Sequence, residues 1–232
     1  MPPVTMAAAA AAIVTGGIGA VCFLGSRVSP SADAALAFAS VAWSWLAVSL
    51  AGALPFLFSG VISWAHFDDA LFESISGFTC TGSTILSDFD AVPQSILFYR
   101  SLTQWLGGMG LVVLAVAVLP ALGIGGLDLI ASEAPGPTAD RLSLKVRDTA
   151  RRLWLLYGAA TCILAIVLFL VGMSVFDAVT HAFTTIATGG YSPHAESIAY
   201  FDSFVVELVV ICLLYTSPSP RDATLSRMPS SA

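Results

Sequence analysis

The sequence predicts an all-α polytopic membrane protein, built from a repeated unit of spanning helix, short re-entrant segment and second spanning helix, the second unit being incomplete. Three observations predict this: the scarcity of charge, the partition of the charges present, and an internal repeat. Of 232 residues, 57% are hydrophobic and 10% charged, whereas a soluble domain carries about 25% charged residues. So few charges cannot solvate the surface of a folded chain, and lipid must cover most of it. Uncharged stretches run over 6–25, 34–65, 101–127 and 153–176. Each can cross a bilayer as a helix, which takes roughly 20 residues.

Taken in order, residues 1–33 read as a first transmembrane helix and its loop. No basic residue precedes Arg27 and the apolar stretch has the length of a full span, which disfavours a cleaved leader. Residues 34–127 form the first repeated unit. Pro55 within its first span predicts a kink or a helix end. Trp43, Trp45 and Trp64 read as interfacial or lipid-facing anchors. Arg100, four residues before Gln104, is expected to mark the external membrane boundary by snorkelling. Gly107, Gly108 and Gly110 have the spacing of close helix packing, preferred here over gating. A linker follows at 128–152, then an incomplete second unit at 153–214. Its last apolar run, 204–214, is too short to span. Residues 215–232 are Pro/Ser-rich and read as a non-native tail.

The charges fix an orientation. Five of the nine Lys and Arg residues fall in one window, as Arg141, Lys145, Arg147, Arg151 and Arg152. Short basic loops stay in the cytoplasm, so segments 66–99 and 177–203 face outward, and Arg27 falls inside. Those external segments contain no Lys or Arg, but hold Asp68, Asp69, Glu73, Asp88 and Asp90, then Asp177, Glu196 and Asp202. Acidic groups at an entrance concentrate cations and repel anions. Polar loops alone account for some acid, but loops of mixed sign would be the ordinary outcome. The net charge of −6 disfavours nucleic acid as a partner. Cys22, Cys80, Cys162 and Cys212 are far apart without CxxC spacing, and read as buried thiols rather than a disulfide framework or zinc site. His66, His181 and His194 are scattered singly, as polar loop or short-helix residues rather than metal ligands.

The internal repeat appears when DALFESISGFTCTGST (69–84) is laid over DAVTHAFTTIATGGYS (177–192). Asp69 and Ala70 meet Asp177 and Ala178, Ser76 meets Thr184, and Gly82 meets Gly190, at one constant offset without a gap. In each copy an aspartate opens an apolar, hydroxyl-bearing stretch of about three turns, where it suits a helix N-terminus as a cap. The stretch is too short to cross the bilayer, so it must enter and return. Such a segment leaves carbonyls unpaired at membrane depth, which is tolerated only inside protein or beside water. Carbonyl oxygens in a ring replace the hydration shell of a cation. Glycine permits the backbone angles that turn a carbonyl toward an axis, so both segments read as pore loops.

Four strings carry a family resemblance: ALFESISGFTCTGSTIL (70–86), LFYRSLTQWLGGMGLVVLAVAVLPALGIGG (97–126), EAPGPTADRLSLKVRDTARRLW (133–154) and FTTIATGGYSPHAESIAYFDS (183–203). The chain resembles the TrkH/KtrB family of cation-transport subunits over roughly residues 35 to 212, and the WLGGMG string is highly characteristic. The resemblance implies four membrane helix–pore loop–membrane helix units, related to potassium channels, with one key glycine per unit. Gly82 and Gly190 match those glycines; Thr79, Cys80, Thr81 and Ser83 flank the first, and Ala187, Thr188, Gly189 and Tyr191 the second. The expected ligands for potassium, as substrate, are the backbones of Cys80, Thr81, Gly82, Thr188, Gly189 and Gly190. The resemblance further implies a homodimer in a bacterial inner membrane, with a cytosolic nucleotide-binding regulatory subunit of the TrkA/KtrA type, no cofactor and no catalysis. The basic window faces the side where that subunit would bind, though a plain topology signal is the preferred reading.

Three features depart from the family pattern. Cys80 stands where threonine is usual, Glu207 lies in an apolar run where charge is expensive, and the last helix is short. Two other readings compete: a membrane-embedded hydrolase using His66, Asp68, Asp69 and Glu73 as acid–base groups, and a non-conducting scaffold. Against the hydrolase, Glu73 aligns with His181, so the carboxylate is not repeated, whereas the glycine is.

Overall fold

The computed structural model describes residues 10, 13–17, 34–121 and 138–216, and every regular element among them is helical. Of the predicted first span only residues 10 and 13–17 lie within the description, in helical conformation. The helices are α1 (Ala34–Ser59), α2 (Phe67–Phe78), α3 (Gln94–Ala121), α4 (Thr138–Leu170), α5 (Val175–Ile186) and α6 (Phe204–Thr216). Two contain stretches long and apolar enough to cross a bilayer: Val41–Ser59, of 19 residues, and Arg151–Leu170, of 20. α1 runs through Pro55 and ends four residues later. A proline lacks the N–H for the bond to residue i−4, and only one further turn follows it.

α4 is one helix of 33 residues. Residues 138–152 of the expected linker are therefore its first turns, continuous with the apolar part, while 128–137 lie outside the described residues. α6 has 13 residues and, at 1.5 Å per residue, is about 20 Å long against a hydrocarbon core of about 30 Å. The expected tail lies outside the description from residue 217 onward.

The short helices α2 and α5, 12 residues each, pack around α3. α3 touches α1, α2, α4 and α5. Apolar residues form two clusters. One joins Ala53, Phe56, Leu57, Ala70, Ile96 and Leu97; the other joins Leu164, Leu168, Met173, Ala178, Ala182 and Val206. Between lipid-bathed helices no hydrophobic force drives packing, so small residues that allow close approach matter most. A Cβ at Gly107 would collide with the Phe78 carbonyl, and one at Gly77 with Thr103. The missing side chain at Gly107 thus lets α3 approach the end of α2. Gly108 sits against Tyr157 and Ala187, and Gly110 against Trp45.

The outward faces are apolar: Trp43, Leu155, Leu156, Ile163, Leu170 and Ile211 are all more than half exposed. Monomers in water rarely show such surfaces; lipid accommodates them. Cys162 and Cys212 are also exposed, which overturns the expectation of buried thiols at both positions. They occupy outward positions on apolar helices, where lipid does not penalise a thiol. No disulfide joins the described cysteines, and Cys22 lies outside them.

Candidate functional site

The two matched segments have the same backbone. α2 and α5 begin at positions 67 and 175, so Asp69 and Asp177 are the third helical residues and not the caps expected from sequence. At α5 the cap is Ser174, whose Oγ accepts from the Asp177 N–H at 3.1 Å and donates to Asp177 Oδ2 at 2.7 Å, a reciprocal arrangement that satisfies an orphan amide of the first turn. Both helices end alike. The N–H groups of Thr79, Cys80 and Thr81 donate to the carbonyls of Ile75, Gly77 and Ser76; those of Ala187, Thr188 and Gly189 donate to Phe183, Thr185 and Thr184. Each of the three bonds in the first segment thus recurs between the matched positions of the second. This is a Schellman closure, which needs a left-handed residue just past the helix.

That left-handed residue is not glycine in either case. Cys80 has φ +55° and Thr188 φ +52°, at a cost of about 1–2 kcal/mol each; for β-branched Thr188 the conformation is a genuine outlier. Two residues on, Gly82 and Gly190 are also left-handed, at +77° and +85°. The sign of φ therefore alternates from 79 to 83 and from 187 to 191. The loops touch: a Cβ on Gly82 would collide with the Gly189 carbonyl, whereas nothing lies within 4 Å of the same position at Gly190.

Behind the loops runs a polar seam. Glu73 and Arg100 are buried, 0% and 1% exposed, and joined Nε to Oε1 at 2.7 Å. Thr84 Oγ1 donates to Glu73 Oε1 at 3.0 Å and accepts from Arg100 Nη2 at 2.9 Å. The Arg100 guanidinium stacks over the Tyr191 ring, 4.1 Å from its centroid, while Tyr191 Oη donates to the Glu73 backbone carbonyl at 2.8 Å. Gln104 Nε2 donates to the Gly189 carbonyl at 2.9 Å, and its Oε1 accepts from the Tyr191 N–H at 3.0 Å. A buried charge is tolerable only when paired and hydrogen-bonded. Among the described residues no buried side-chain nitrogen or oxygen lacks a partner.

The ten predicted site residues divide by exposure. Thr79, Thr81, Ser83, Thr188 and Gly190 are exposed, Cys80 and Gly82 are half-buried, and Ala187, Gly189 and Tyr191 are buried. Gly189's carbonyl, expected among the cation ligands, accepts from Gln104 Nε2. Cys80 Sγ donates to the Gln104 backbone carbonyl at 3.3 Å. Arg100 does not snorkel: its partner Glu73 lies inside the protein and holds it there. Of the acids expected outside, Asp68, Asp88, Asp90, Glu196 and Asp202 are exposed, Asp69 is half-exposed, and Glu73 and Asp177 are buried. The four residues of the hydrolase reading do not converge. His66, Asp68 and Asp69 sit together on the outside, while Glu73 is locked to Arg100. Arg100, Gln104 and Thr84 escaped notice as site residues. The available signal was a charge and an amide one turn apart in an apolar helix, which must find partners.

The TrkH family profile, described as cation transport protein, matches residues 6–216. The chain belongs to the TrkH family. TrkH-family proteins are transporters, not enzymes, which removes the hydrolase reading on independent grounds. The chain is 46% identical over 181 residues to the Trk system potassium uptake protein TrkH of Escherichia coli, and 44% identical over the same length to that of Vibrio parahaemolyticus. In both comparisons the match covers 78% of this chain and 37% of the relative, so the chain spans little more than a third of the TrkH relatives' length. The crystal structure of the potassium transporter TrkH from Vibrio parahaemolyticus superposes with a TM-score of 0.76 at 37% identity, covering 90% of this chain and 42% of that one.

Proposed function

We propose that this chain forms part of a potassium-translocating pore, in which the loops 79–83 and 187–191 offer main-chain oxygens to a dehydrated cation. The observation that carries the reading is the matched, strained backbone of the two loops, in contact through Gly82 and Gly189. Non-glycine residues persist in left-handed conformations only where the surroundings enforce them, and such strain clusters at functional sites. The C-terminal ends of α2 and α5 direct partial negative charge at the loops, which favours cations. Arg100 does not oppose this, because Glu73 neutralises it.

On this reading α2 and α5 are pore helices, each set between membrane helices as one unit of a repeated channel-like architecture in a bacterial inner membrane. The names of the relatives supply potassium as the cargo, and no cofactor or catalytic step is needed. Family resemblance supports a homodimer served by a cytosolic nucleotide-binding subunit of the TrkA type, with the basic first turns of α4 on the side available to it.

The test is uptake by potassium-deficient cells supplied with the full-length protein carrying this chain. Growth at low potassium is the expected result. Gly82→Ala should damage selective uptake more than Gly190→Ala, because the first adds a collision with the Gly189 carbonyl to the strain both share. Normal, equally selective uptake in both variants would remove the filter assignment.

A further inference from the structure

Gln104 belongs to α3, the helix that follows the first loop, yet its side chain is fully buried against the second. Its two bonds bracket Gly190, one residue before it and one after. The orientation of the amide is fixed, since a carbonyl only accepts and an N–H only donates. Geometry then dictates what Gly190 presents. In a trans peptide the C=O and the following N–H point in opposite directions, and the described residues contain no cis bond. The Tyr191 N–H aims at Gln104, so the Gly190 carbonyl points away from it. The Gly189 carbonyl, by contrast, is drawn back toward Gln104, where it also lies against Gly82. One neutral amide thus withdraws one carbonyl and presents the next.

We infer that Gln104 is a selectivity-determining positioning residue, which fixes the carbonyl of Gly190 toward the ion path by holding the Gly189 carbonyl and the Tyr191 amide behind it. The inference rests on the filter reading proposed above. Cation discrimination depends on the number and placement of coordinating oxygens, so a loop free to turn its peptides should discriminate less. Gln104 also receives the Cys80 thiol on its backbone carbonyl, so the same helical turn contacts both loops.

The experiment compares Gln104→Glu and Gln104→Leu in the full-length protein, measuring rubidium and sodium uptake per amount of protein in the membrane. Glutamate keeps the size and can accept from Tyr191, but when ionised cannot donate to Gly189; leucine does neither. The rubidium-over-sodium preference should fall from wild type to Glu to Leu, by about tenfold at the far end, the equivalent of one net hydrogen bond. Uptake of both ions falling only in proportion to the amount of protein, with the preference unchanged, overturns the inference, since that is what a structural role alone would give. If the leucine variant fails to reach the membrane, the glutamate variant carries the test by itself. Gly190→Ala, run alongside, separates the failures. A shifted preference there with none in the Gln104 variants discards Gln104 alone, and no shift in any of them discards the filter.

Discussion

The two loops share a backbone but not the side chains that support it. In the first, Glu73 and Thr84 meet beneath the loop and Arg100 closes the set. At the corresponding places in the second stand His181 and Ser192, again in contact, Nε2 to Oγ at 3.2 Å. His181 Nδ1 faces the Asp177 carbonyl at 2.9 Å and must donate to it; burial lowers the pKa of the imidazole and so favours its neutral form, in which Nε2 accepts from the serine. The position of the second copy that matches Arg100 is Leu208, half exposed. Leu208 supplies no cation for a second carboxylate, and an imidazole fills the place without one. The lesson is that the main-chain geometry is the duplicated feature. The wiring beneath it can be ionic or neutral, provided every buried group finds a partner.

This contrast can be broken at its ionic side first. Arg100→Met strands the Glu73 carboxylate and should cost about 3–5 kcal/mol, seen as a sharp loss of folded protein in the membrane and a lower melting temperature in detergent. Adding Glu73→Gln should recover much of that loss, because it removes the orphan charge; if the double variant is no better than the single, the pair is not the source of the cost. A smaller effect is expected at the neutral side. His181→Gln, with a donor and an acceptor, should be nearly silent. His181→Glu places a carboxylate in a copy whose position matching Arg100 is Leu208, and should cost about 1–3 kcal/mol, read from the same melts. Equal behaviour of the two substitutions would mean that the wiring is interchangeable and the comparison empty.

Much of the architecture was legible in the sequence. The gapless offset that carries Asp69 onto Asp177 placed α2 and α5 in register, and it foretold that Gly82 and Gly190 would share a conformation. What was not legible is where side chains on different helices meet. Glu73 and Arg100 are 27 residues apart, and Gln104 and Gly189 are 85; periodicity reveals the face of a helix and not its partner across the fold. For that reason Arg100 read as a boundary marker, although a guanidinium in an apolar helix has two inexpensive solutions, snorkelling or pairing, and the sequence alone does not choose. Capping was misjudged by a similar ambiguity. An aspartate near a helix start serves as cap or as third residue, and at α5 Ser174 occupies the cap.

The central claim is that two strained turns set oxygens around a common cation. It is tested most directly by a structure of the full-length protein with thallium in place of potassium, located by anomalous scattering. The account predicts a peak on the open side of Gly190, within reach of carbonyls from both 79–83 and 187–191. Thallium bound only elsewhere, or these loops packed against lipid, would contradict it.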